Sequence, residues 1–106
     1  MSLFKQKECT DEEISAFWTW FAANEEKLSE KDGIKRAHAL QAAQAKLHVL
    51  FPACPQSVGF SVIPSGDRWE ISFSYGTKAV AKRTAKRMRV LMPSSLQGKW
   101  RMEVSE

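Results

Sequence analysis

Residues 77–92, TKAVAKRTAKRMRVLM, constrain the fold more than any other stretch, because a helix sorts them into two chemically distinct sides. At about 100° per residue, Val80, Ala81, Thr84, Ala85, Met88, Leu91 and Met92 fill one continuous arc. Lys78, Lys82, Arg83, Lys86, Arg87 and Arg89 fill the opposite arc, and no acid interrupts them. The apolar arc needs a surface to lie on, and the segments on either side of it read as strands. The cationic arc is the strongest chemical statement in the chain. By itself it names no activity.

Before this helix the hydrophobic period is two. Val58, Phe60 and Val62 alternate with Gly59, Ser61 and Ile63, and Trp69, Ile71, Phe73 and Tyr75 alternate with Glu70, Ser72 and Ser74. Pro64-Ser65-Gly66-Asp67 between them predicts a turn, since Pro presets one dihedral and Gly permits a positive one. After the helix, a loop over 93–98 leads to a strand with Trp100, Met102 and Val104 inward and Lys99, Arg101 and Glu103 outward.

The N-terminal half has the helical period instead. Thr10-Asp11-Glu12-Glu13 is a capping box, and the helix it opens runs to about Ser29 with Ile14, Phe17, Trp18, Phe21 and Leu28 on one face. Trp20 lies well round from that stripe, either covering a neighbouring helix or anchoring a partner. Asp32 is a candidate N-cap for a second helix from Ile34 to Phe51, which Pro52 and Pro55 end. Its expected buried stripe is Ile34, Ala37, Leu40, Leu47, Leu50 and Phe51.

The order is therefore α-α-β-β-α-β in an α+β fold. A right-handed crossover makes the third strand run with the second. It can then pair antiparallel to the first, so the expectation is a mainly antiparallel three-stranded sheet of order 2-1-3 with the helices on one face.

With 106 residues the chain makes one domain, 1–106, able to bury a core without metal or disulfide staples. No apolar run reaches the ~18 residues that a membrane helix needs, so no membrane partner is expected. The N-terminus lacks the pattern of a secretory signal, which points to the cytoplasm and to Cys9 and Cys54 as free thiols. The net charge of +4 hides an asymmetry. From Glu8 to Asp32 eight acids stand against two lysines, a balance of −6, whereas residues 77–92 carry +6.

Catalytic constellations are thin. His38 and His48 lie about 15 Å apart along one helix, too far to act together. Cys54 near His48 has no third partner, two lone Cys and two lone His do not make a zinc set, and the five glycines form no phosphate loop. A non-catalytic protein without metal or cofactor is expected.

Binding classes remain. The stripe of Lys78, Lys82, Lys86 and Arg89, flanked by Arg83 and Arg87, suits an acidic protein surface or, alternatively, nucleic acid phosphates. The polar sheet face carries no stacking aromatics of the kind single-strand readers use. The plainer reading is a solvated helix face partly neutralised by the acidic first helix. Trp20, Lys99 and Arg101 are candidates for a further interface, and a free strand edge for homodimerisation.

Trp20-Phe21-Ala22-Ala23-Asn24-Glu25-Glu26-Lys27-Leu28 resembles the opening of a set of small uncharacterised bacterial proteins. So does the strand ending at Gly76, followed by an amphipathic helix, a Pro-containing loop and Gly98-Lys99-Trp100. Those proteins usually show Ala-Pro where this chain has Met92-Pro93, and their helix is less basic. The resemblance implies an α+β fold and a bacterial source, and lends no activity.

Overall fold

The capping box forms as its side-chain chemistry dictates. Thr10 Oγ1 accepts from the Glu13 amide at 3.1 Å, and Glu13 Oε1 accepts from the Thr10 amide at 2.8 Å. The computed structural model describes residues 8–51, 59–74 and 79–102. Helix α1 spans Asp11–Ala23 and buries Ile14, Phe17, Trp18 and Phe21. The expected run to Ser29 is interrupted at Asn24, whose Nδ2 donates to the Trp20 carbonyl at 2.9 Å. The Asn24 amide is shared between the Trp20 and Phe21 carbonyls, both at 3.1 Å, as the last turn of the helix tightens. The chain restarts as α2, Glu25–Leu28, with Leu28 buried.

Asp32 caps α3, Gly33–His48, as expected: its Oδ1 accepts from the Ile34 amide at 2.9 Å and the Lys35 amide at 3.2 Å. The inward face differs from the expected stripe. Ala43 and Leu47 are buried, followed by Leu50 and Phe51, while Ala37 is exposed and Ile34 is 75% exposed. Arg36 explains this. Its guanidinium lies 5.6 Å from the Trp69 ring centroid and donates to the Glu30 carbonyl at 2.8 Å. Residues two apart on a helix point to opposite sides, so seating Arg36 on the sheet turns Ile34 to solvent.

Strand β1, Gly59–Ser65, pairs antiparallel with β2, Arg68–Ser74, from Gly59↔Ser74 to Ser65↔Arg68. The turn is tighter than Pro64–Asp67: Pro64 and Ser65 belong to the strand, and Gly66-Asp67 close the hairpin with Gly66 at φ +64°. A positive φ at the first central position matches the right-handed twist of a two-residue hairpin. Helix α4, Ala79–Val90, and a single turn α5, Ser94–Gln97, lead to β3, Trp100–Met102. Strand β3 runs parallel to β2 with Trp69↔Trp100, Glu70↔Arg101 and Ile71↔Met102 in register.

The architecture is α+β with a mixed three-stranded sheet, and its order is β1-β2-β3 rather than the expected 2-1-3. Placing β1 between β2 and β3 would separate Trp69 from Trp100 and Ile71 from Met102, whose side chains share the helix-covered face. A parallel pair joined by one helix keeps that apolar surface continuous.

Phe60, Val62, Trp69, Ile71, Phe73, Trp100 and Met102 belong to the core or pack against it. Phe21 meets Trp100 edge-on at 4.8 Å, and Phe17 and Phe21 each meet Phe60 at 6.4 Å. Ser61, Ile63, Glu70, Ser72 and Arg101 alternate with these on the open face, where Ser61, Ile63 and Arg101 are exposed. Lys78, Cys54, Val58, Tyr75, Glu103 and Val104 lie outside the described residues. Among those described, no helix is long and apolar enough to cross a membrane.

Candidate functional site

The apolar arc of α4 packs inward as its spacing predicts. Val80, Ala81, Thr84, Ala85 and Met88 are buried, and Met92 follows. One hydrogen bond sets the helix against α1: the Trp18 indole Nε1 donates to the Met88 carbonyl at 2.9 Å, in the core. That carbonyl belongs to the last turn of α4, where helical acceptors run out of partners, so Trp18 also serves as a C-terminal cap. The Leu91 amide satisfies the Arg87 carbonyl at 3.0 Å. Arg87 and Arg89 in the same turn suit the negative end of the helix dipole.

The cations face away from the core. Arg83 and Arg89 are exposed, and Lys82, Lys86 and Arg87 flank them half-buried. The protein's own N-terminal acids lie against part of this face. Arg83 Nη2 is 3.3 Å from Glu8 Oε2, Arg87 Nη2 is 2.6 Å from Asp11 Oδ1, and Arg87 Nη1 donates to the Cys9 carbonyl at 3.0 Å. The hydrogen bond to Asp11 raises the pKa of Arg87 further, so its charge is fixed in water at any ordinary pH. Beneath this segment the Cys9 thiol is buried; desolvation pushes its pKa up, and the nearby Arg87 charge opposes the shift.

Two features complete the surface that charge alone does not specify. Val90, which the 100° spacing places among the cations, is 78% exposed. It borders a shallow cleft of about 290 Å³ with Lys86, Arg87, Leu91 and Asp11. The face is therefore cationic with an apolar margin.

The other sequence candidates lie apart from it. Trp20 is half-buried, 6.5 Å from Phe17, and walls a cleft of about 440 Å³ between α1 and α3. Lys99 is 3.7 Å from Glu25 and lies over the Trp100 ring at 5.8 Å. Arg101 is on the open sheet face, in register with Glu70. The structure thus brings Lys82, Arg83, Lys86, Arg87 and Arg89 together and leaves Trp20, Lys99 and Arg101 on other surfaces. His38 lines the Trp20 cleft, whereas His48 Nε2 lies 3.0 Å from Gln44 Nε2. Among the described residues no three His, Cys, Asp or Glu side chains gather as a metal site requires. No family model, curated protein or solved structure matches the chain.

Proposed function

We propose that this protein is a non-catalytic binding module that contacts an acidic protein surface through the outward face of α4. One observation carries this reading. The face already accommodates carboxylates in matched geometry, with Glu8 on Arg83 and Asp11 on Arg87. The exposed Val90 at its margin favours a protein partner over nucleic acid, because phosphate tracking has no use for an apolar side chain. The setting that fits the sequence is the cytoplasm of a bacterium.

Self-association would use the outer edge of β1, with which no further strand pairs among the described residues. The Trp69 amide donates to the Lys99 carbonyl at 2.9 Å, so Trp69 turns toward β3, and Pro64 opposite it turns its ring nitrogen outward. A proline there blunts the edge and limits pairing to the stretch around Phe60 and Val62.

The test is capture from lysate on the tagged protein, at low and high salt and with and without nuclease. The bait runs beside a Lys82→Glu, Lys86→Glu, Arg89→Glu variant. A nuclease-resistant protein partner, released by salt and absent from the variant, is the expected result. Loss of all bound material on nuclease treatment would move the assignment to nucleic acid.

A further inference from the structure

Resting on that proposed surface, we infer that the acidic segment Glu8–Asp11 is a built-in competitor for it, and that the partner is an acidic chain whose carboxylates replace Glu8 and Asp11. The geometry gives the reason. Two carboxylates three residues apart in sequence sit on two guanidiniums four residues apart on α4, and the Cys9 carbonyl between them takes a second donor of Arg87. An incoming acidic segment must offer the same pair of charges to the same two arginines. Its adjoining apolar side chain then meets Val90 and Leu91, which border the same cleft as Asp11 and Arg87.

The contacts are of the strength a competitor needs. The Arg83 and Asp11 side chains are 57% and 67% exposed, so water screens both pairs and each is worth about 0–1 kcal/mol. Such a cover is displaced without unfolding anything, because α1 stays anchored by Ile14, Phe17, Trp18 and Phe21 in the core. It still weakens any ligand that must displace both carboxylates by the free energy of two ion pairs. The segment also discriminates, since a single isolated carboxylate replaces one contact while leaving the other in place.

The experiment measures binding of a short fluorescent poly-glutamate peptide to the folded full chain at low salt. The test variant is Glu8→Gln with Asp11→Asn; the control is Glu26→Gln with Asp67→Asn, which changes net charge equally at exposed positions away from these pairs. The expected result is affinity roughly two- to tenfold above that of the control variant, the gain vanishing when Arg83→Gln and Arg87→Gln are added. Equal affinity of the test and control variants would overturn the competitor while leaving the cationic surface standing. No binding by any of these proteins, with circular dichroism showing them folded, would remove the surface and the competitor together.

Discussion

Trp18 and Trp100 are both fully buried indoles, and the structure gives them opposite roles. Trp18 donates to Met88, whereas Trp100 Nε1 has no hydrogen-bond partner among the described residues. Trp18→Phe leaves a buried carbonyl without its donor and should cost about 1–3 kcal/mol in denaturant unfolding. Trp100→Phe removes an unpaired donor and should cost less, the ring contact with Phe21 being kept. Equal losses would show that packing rather than hydrogen bonding sets Trp18's contribution. Cys9 adds a pH dependence. Its pKa is raised on folding, so the folded protein holds the thiol proton more tightly than the unfolded chain. Its contribution is therefore fully present below the unfolded value of about 8.5 and is lost as pH rises through the folded one. Stability measured against pH should fall over that alkaline range, and less steeply in Cys9→Ala.

At the scale of elements, the local signals were legible in the sequence and the long-range ones were not. Thr10, Glu13 and Asp32 cap their helices as side-chain chemistry dictates, and the two sides of α4 follow from spacing alone. The break falls at Asn24, whose side chain and backbone amide share the Trp20 carbonyl, and the outward turn of Ile34 follows from Arg36 finding Trp69. Neither has a periodic signature. Strand order is a pairing between segments separated by a whole helix, and alternation says which side faces inward without saying which neighbour is adjacent. Within the site, the cations were evident from charge, while their engagement by Glu8 and Asp11 required the packing of α1 beside α4. The hairpin offers its own test. Gly66 has open space where a Cβ would go but a φ of +64°, so Gly66→Ala should cost about 1–2 kcal/mol from backbone strain alone. A thermal unfolding midpoint unchanged by that substitution would mean the turn adopts another conformation.

Across the whole molecule, the acidic N-terminal segment and the basic helix are neighbours, so the charge asymmetry of the chain is partly spent internally. What it leaves outward is the cationic, apolar-edged face of α4. The account requires those cations to serve the surface and not the core. Reversing Lys82, Lys86 and Arg89 to Glu puts good helix formers at surface and boundary positions, and should shift stability by no more than about 2 kcal/mol. The most direct measurement combines thermal unfolding of this triple variant with its poly-glutamate binding as salt is raised. The account predicts cooperative unfolding close to that of the parent, together with loss of the salt-sensitive binding the parent shows. A variant that no longer folds, or one that binds as the parent does, would contradict it.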